Sequence, residues 1–468
     1  MRITENAWIE AKRPTVRRLI DELLSRCDYA SALAVDSKSR AYSLSKRGIS
    51  AADMELLSTR GFTVKVVQGD KRLEYSLNEL TEENIPEVVK SIENALMNCP
   101  TSPLGLPDDE PLTLSEASEY EIDPVELGDE RIIALLDEIR KRGLKSDPAI
   151  IDCVTNCSYR VYSKLFISKN RELSQSIMWC NGAIWAIAGR GDIMRDSYRG
   201  YSKLGGAELL NSMKDGVDKV CGTAVELLDA QPMPAGEYEC ICSPETTGMI
   251  VHEAFGHGVE MDMFVKDRAQ AKEFIGKYVA SPLVTMHDGA VGVDETASFF
   301  FDDEGSLACD TVIIDKGILK KGMCDQQSAR RLGVKPTGNG RRSSFERKAY
   351  ARMTNTYFEA GNDSLEDMFA SVDYGFLLEN PTSGMEDPKN WGIQCMVGIA
   401  REIKDGKLTG RVFSPVVLTG YVPDLLKSIT MMSREVELCG SGFCGKGYKE
   451  WLKVSDGGPW IKARIRLG

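Results

Sequence analysis

The sequence predicts an α+β protein of two domains. Residues 1–231 read as a helix-and-sheet domain, and residues 232–468 as a mostly antiparallel β domain, a curved sheet or open barrel carrying one helix. Three observations lead there. The chain has 468 residues, more than one ordinary core accommodates. Amphipathic helical runs and strand-like runs mix in the first half, whereas short strands set apart by glycine and turn residues fill the second. Between the halves, "DAQPMPAGEY" interrupts a long helical pattern with two prolines and a glycine, which places the boundary near residue 231.

The elements follow in order. Residues 15–27 put Val16, Leu19, Ile20, Leu23, Leu24 and Cys27 on one helical face. "ASALAVDSKSRAYSLS" reads as two short strands around a polar turn, and residues 84–97 as a second helix. Residues 99–124 hold five prolines and many carboxylates, the composition of a long exposed loop. "DERIIALLDEIRKRG" is a helix ending at Gly143, and "YRVYSKLFISKN" a strand. In "SQSIMWCNGAIWAIAGRG" the pair Asn181-Gly182 sits between apolar runs, a strong hairpin signal. Residues 207–229 form a long helix bearing Leu209, Leu210, Met213, Val217, Val220, Ala224, Leu227 and Leu228. Beyond the boundary "YECICS", "DTVIIDKGIL", "GIQCMVGIAREI", "RVFSPVVL" and "WIKARIRLG" read as strands, interrupted by one clear helix.

Composition narrows the function. Hydrophobic residues make up 42% and charged residues 27%, as in globular proteins. A net charge of −12 argues against sequence-independent nucleic-acid binding, which needs a basic face. "GNGRRSSFERK" is the one basic stretch, best read as a polar loop. The first residues show no apolar signal-peptide core, and no run is long enough to span a bilayer, so a cytoplasmic protein is expected. The 13 cysteines then read as reduced thiols. The close pairs Cys153/Cys157 and Cys240/Cys242 lack the C-x-x-C spacing and read as structural.

Two of only three histidines fall in "VHEAFGHGVEMD". Ser243-Pro244-Glu245 is a well-formed helix start, so the motif lies on a helix. His252-Glu253 followed by His257 resembles H-E-x-x-H with one residue too many. In an α-helix, positions i and i+4 lie about 40° apart, a chelating arrangement, but i and i+5 lie about 140° apart. Either a single-turn π-bulge or a kink at Gly256 and Gly258 absorbs the extra residue, and the bulge is preferred. The alternative is a pair of exposed histidines on a helix end. A zinc site needs a third ligand. His287, in turn-like surroundings, suits a surface role. Cys444, in the glycine-rich "CGSGFCGKGYKE", is able to approach a metal, its alternative being an unreactive thiol.

Taken together, "HEAFGHGVEMD", "DDEG" (302–305), "TGNGRR" (337–342), "RMTNTY" (352–357) and "GSGFCGKG" (440–447) resemble the TldD/PmbA family, and its TldD-type metallopeptidases in particular. The resemblance covers the second half well. It implies that His252, His257 and Cys444 bind zinc and that Glu253 acts as general base on the metal-bound water, hydrolysing small or unfolded peptides. It also implies dimers, of one chain or with a metal-free sister subunit, in which an extended peptide adds to a sheet edge. Glu260 or Asp262 would orient an imidazole, their alternative being solvated charges. Asn339, Arg341 and Arg352 would hold substrate, or else pair within the fold. "DDEG" lacks calcium-ligand spacing and reads as a turn. Relatives tend to read Cys-Gly-Lys followed closely by Gly-Gln, where this chain has "CGKGYKEW" with Tyr448 and Lys449, a departure that touches substrate contacts and leaves the metal ligand. From a different class stands a non-catalytic scaffold stapled by zinc, in which Glu253 has no role.

Overall fold

The computed structural model describes residues 1–468 except 5, 55–56 and 448–449. The first half builds an eight-stranded sheet in the order Lys71–Leu77, Arg60–Gln68, Tyr29–Ser45, Ile150–Ser168, Arg171–Arg190, Leu112–Ala117. Gly48–Asp53 pairs alongside Tyr29–Ser45, and Ile193–Leu204 alongside Arg171–Arg190. Strand alternation divides the side chains between two faces. Ala32, Ala34, Leu165 and Ile167 point to one face, where helices Ala7–Leu24 and Ile85–Met97 bury Val16, Leu19, Ile20, Val89 and Ile92. Further along the same face, helices Asp129–Ser146 and Leu209–Glu226 pack Leu136, Met213 and Val217 on Tyr42, Cys153 and Cys157. The intervening residues Leu33, Val35 and Phe166 face the other way, onto Phe301 of the second half.

The second half is a closed five-stranded barrel with an extension. Gly236–Cys242 pairs with Tyr374–Asp387, which pairs with Gly392–Lys404, then Val416–Tyr421, then Ser455–Leu467, which pairs back to Gly236–Cys242. Asn355–Phe358 runs parallel to Ser455–Leu467 and continues the sheet outward to Met286–Gly289 and Asp310–Asp315. The largest apolar cluster runs through barrel and extension and includes Ile250, Val251, Ala254 and Phe255 from the helix that bears His252 and His257. Among the described residues, no helix is long and apolar enough to cross a membrane.

Several expected elements differ. The first helix starts eight residues earlier than periodicity indicates, at Ala7. The Asn6 side chain accepts the N–H groups of Trp8 and Ile9 there, and Pro14 is carried inside the helix. Tyr29–Ser45 is one strand, not two. Its polar middle is satisfied laterally, Asp36 accepting from Arg60, Ser37 donating to the Leu57 carbonyl and Ser39 to that of Met54. Residues 99–124 are not all loop, because Leu112–Ala117 pairs in parallel with Arg171–Arg190. The helix ending expected at Gly143 runs on to Ser146. No turn forms at Asn181-Gly182, which lies mid-strand in Arg171–Arg190. A Cβ at residue 182 would stand 2.3 Å from Met213 Sδ, so this glycine serves helix-on-sheet packing. The barrel is closed rather than open, and short helices Gln326–Leu332, Leu365–Ala370 and Val422–Lys427 join the expected one.

Candidate metal centre

The barrel strand Gly236–Cys242 leads directly into the site. Ser243 accepts the N–H of Thr246, Pro244 opens the helix, and the α-helix runs to Met249. From Ile250 to Gly256 the chain is π-helical, followed by a 3₁₀ turn over His257–Val259. A π-turn brings i and i+5 onto one face. The His252 and His257 rings therefore sit 5.1 Å apart at an interplanar angle of 85°. Gly256 keeps helical angles, φ −58° and ψ −49°, so the extra residue is absorbed by wider winding and not by a glycine kink.

Cys444 arrives on a short hairpin, Phe443–Lys446 paired with Glu450–Lys453. Arg352, buried to 1% exposure, fixes it: its Nη2 donates to the Cys444 carbonyl at 2.8 Å and its Nη1 to that of Glu450 at 3.1 Å. Cys444 Sγ then lies 3.3 Å from His257 Nε2. One ligand atom from each of His252, His257 and Cys444 falls within 4.8 Å of the others. The donor set suits zinc, a thiolate with two imidazoles. His252 Nδ1 is buried without a hydrogen-bond partner, the mark of a group awaiting one. Burial pushes the Cys444 thiol up, but the two imidazoles outweigh it and draw the thiol down to about 4. The same contacts raise His252 against the effect of burial, and raise His257 well above its usual value with help from Glu260.

Glu253 lies beside this cluster with its carboxyl raised, chiefly by burial, against the pull of both histidines. Of the two further acids, Glu260 Oε2 sits 3.4 Å from His257 Nδ1, on the ring edge opposite the cysteine. Lys446 Nζ donates to Glu260 at 2.9 Å and to Asp262 at 2.6 Å, and Arg352 Nε lies 3.4 Å from Glu260. Asp262 thus acts on Lys446 and Lys266, not on an imidazole. Burial raises Glu260, yet Lys446, His257 and Arg352 together hold its carboxyl below the usual range.

The residues expected to hold substrate are spent within the fold. Asn339 donates to Asp288 at 2.7 Å and to the Arg352 carbonyl at 3.0 Å. Arg341 donates to the Met353 carbonyl and, at 2.7 Å, to that of Lys453. Arg352 is the hairpin clamp just described. His287 is no surface residue: buried in a strand, it lies 2.8 Å from Glu359 and about 3 Å from Asp310. The "DDEG" turn is also buried, Asp302 accepting the N–H groups of Glu304, Ser306 and Gly340. "GNGRRSSFERK" is a contact between the halves, with Arg342 on Glu74 at 2.8 Å. Tyr448 and Lys449 lie outside the described residues.

Three neighbours of the site escaped the sequence reading. Lys446 carried a signal, standing two residues from Cys444 on the same strand face. Glu386 and Asp456 carried none. Glu386 Oε2 accepts the Gly258 N–H at 2.9 Å while its Oε1 is buried without a partner, and burial raises it strongly. Asp456 is raised by burial to about 6, partly countered by His252.

Residues 235–464 match the model of the PmbA/TldA metallopeptidase C-terminal domain. A "Metalloprotease" of Methanothermobacter thermautotrophicus is 30% identical over 60% of this chain and 61% of its own. A "Zinc metalloprotease TldD homolog" of Saccharolobus solfataricus is 31% identical over 50% of this chain and 52% of its own. The matched segments thus span about half to three fifths of these relatives. In fold, TldE from Thermococcus kodakarensis superposes with a TM-score of 0.77 at 16% identity, over 96% of this chain and 99% of that one.

Proposed function

Because the chain belongs to the TldD/PmbA family, we propose that it is a zinc-dependent peptidase acting on small or unfolded peptides. The observation that carries this is the meeting of His252, His257 and Cys444 within 4.8 Å next to Glu253. His252, His257 and Cys444 would hold the ion. When bound, zinc supplies the Lewis acid that makes water nucleophilic at neutral pH and polarises the scissile carbonyl.

Glu253 does the proton work. Its carboxylate takes a proton from the attacking water as the water oxygen bonds the carbonyl carbon, and returns it to the amide nitrogen as the C–N bond breaks. A carboxyl raised by burial suits both halves of that cycle. Glu260, fixed by Lys446 and Arg352, holds the His257 ring from its far edge. The strand Tyr374–Asp387 offers a route for substrate. Among the described residues, its 379–387 stretch pairs on one side only, with Gly392–Lys404, and it passes Glu253 at Gly384. An extended peptide added to that free edge is bound through its main chain, with little side-chain selectivity. We also propose division of the chain near residue 231, and assembly with a second copy or with a metal-free TldE-like subunit.

A zinc-stapled scaffold is the competing role, and Glu253 argues against it, having no task there. Glu253→Ala is expected to keep stoichiometric zinc and lose peptide cleavage by a factor of at least about 10². Undiminished turnover sinks the mechanism. Cys444→Ser and His257→Ala are expected to lose zinc in metal analysis, and full retention in both refutes the site.

A further inference from the structure

Each face of the cysteine hairpin serves a different place. Phe443 pairs with Lys453, and Cys444 with Leu452, so consecutive residues turn opposite ways. Cys444 faces the two histidines, while Phe443 and Lys453 line a cavity of about 60 Å³ between the two halves of the molecule. That is room for several waters or one small ion.

The cavity is short of negative charge. Five cations line it, Arg160, Lys164, Arg341, Arg342 and Lys453, against Asp302 and Asp303. Lys164 is paired with Asp303, and Arg342 with Glu74. Asp302 is committed to three backbone N–H groups. Arg160, Arg341 and Lys453 remain, none with a carboxylate in ion-pair range among the described residues. Their partners are neutral. Arg160 Nη2 donates to Ser37 Oγ at 3.1 Å, Arg341 to the Met353 and Lys453 carbonyls, and Lys453 Nζ to the Gly442 carbonyl at 3.2 Å. Each cation also rests on an aromatic ring, Arg160 on Tyr162 at 5.1 Å, Arg341 on Phe299 at 5.4 Å and Lys453 on Phe443 at 4.6 Å. Arg160 Nε is buried with no acceptor at all. Cation–π contact recovers only part of what desolvating a charge costs. Lysine escapes by losing its proton, and burial does lower Lys453 to about 7. Arginine has no such escape. Two guanidinium groups without a counter-charge, Arg341 buried and Arg160 half-buried with an orphaned Nε, around a void of ionic size point to a ligand as the counter-charge.

We propose that this cavity binds a small oxyanion, of phosphate or carboxylate type, between Arg160, Arg341 and Lys453. Planar guanidinium forks match both kinds of oxyanion, and the aromatic walls exclude water that would screen them. The site stands apart from the metal centre and does not depend on the peptidase reading.

The test uses the full, zinc-loaded chain in an anion-poor buffer, titrated separately with inorganic phosphate, acetate and potassium chloride. Calorimetry and thermal melting are expected to show saturable binding of phosphate or acetate, with Tm raised by about 2 °C or more at saturation, and no such response to chloride at matched ionic strength. A phosphate response identifies the ligand as a free phosphate-type ion, and a response to acetate alone identifies a carboxylate. Arg341 ties two strands together, so its substitution risks the fold. Arg160→Gln and Lys453→Met are therefore the variants, each expected to weaken binding on the order of tenfold. No saturable response to either oxyanion, an equal response to chloride, or undiminished binding in both variants overturns the proposal.

Discussion

Glu253 is held between opposed influences, and its position depends on a neighbour with no side chain. Burial raises its carboxyl, and the two histidines pull it back. The room it occupies exists because residue 384 is glycine: a Cβ there would come within 2.4 Å of Glu253 Cγ and 2.8 Å of its Cβ, closer than packed carbons tolerate. Gly384→Ala must therefore displace either the carboxylate or the strand. A shift near 1 Å in a catalytic group costs on the order of a hundredfold in rate. Gly384→Ala is expected to cut kcat for peptide hydrolysis by about tenfold to a hundredfold, leaving zinc content and circular dichroism unchanged. Wild-type kcat in this variant would show that Glu253 has space to spare beside residue 384.

Two short elements make the candidate metal centre, and the sequence revealed them unequally. The histidine helix was legible because its oddity was local. Five-residue spacing after a proper N-cap demands extra winding, and a π-segment supplies it over Ile250–Gly256. The hairpin was not legible, since nothing in "GSGFCGKG" says what holds it against the helix. That information sits 92 residues away from the cysteine in Arg352, whose role as a clamp is invisible until the strands are in place. The same blindness explains Asn181-Gly182, where a turn dipeptide was overruled by a helix needing to approach. It also explains Asn339 and Arg341, polar residues that motif reading assigns outward and folding turns inward. Arg352→Lys tests the clamp. The lysine keeps a charge near Glu260 but replaces the rigid fork, whose two nitrogens reach the two hairpin strands, with a single flexible ammonium. Zinc affinity is expected to fall about tenfold to a hundredfold, measured by competition with a chromophoric chelator, while the far-ultraviolet spectrum is retained. Unchanged affinity would mean that the hairpin holds itself.

At the scale of the whole molecule, charge joins the two halves alongside apolar packing. From the first half come Lys65, Glu74 and Lys164, and from the second Glu304, Arg342 and Asp303. Lys65 meets Glu304, Lys164 meets Asp303, and Arg342 grips Glu74 with both nitrogens at 2.8 Å. Most of these groups are withdrawn from water, so removing one partner strands the other, which is costlier than losing a surface pair. Glu74 makes the point testable by pH. Burial pushes its carboxyl up, but Arg342 and Lys65 prevail and hold it at about 2. Its folded value thus lies below its unfolded one, near 4.3 for glutamate. The carboxylate then contributes its full stabilisation above about pH 4.5, and that contribution drains away as pH falls toward 2. Glu74→Gln is expected to be less stable than wild type by on the order of 2–3 kcal/mol at pH 7, with the two denaturation midpoints converging between pH 4.5 and 2. Comparing the pair cancels groups such as Asp302, which burial shifts the other way, to about 8. A gap that stays constant down to pH 2 would mean that Glu74 contributes by shape alone, and that the charged seam between the halves is not what holds them together.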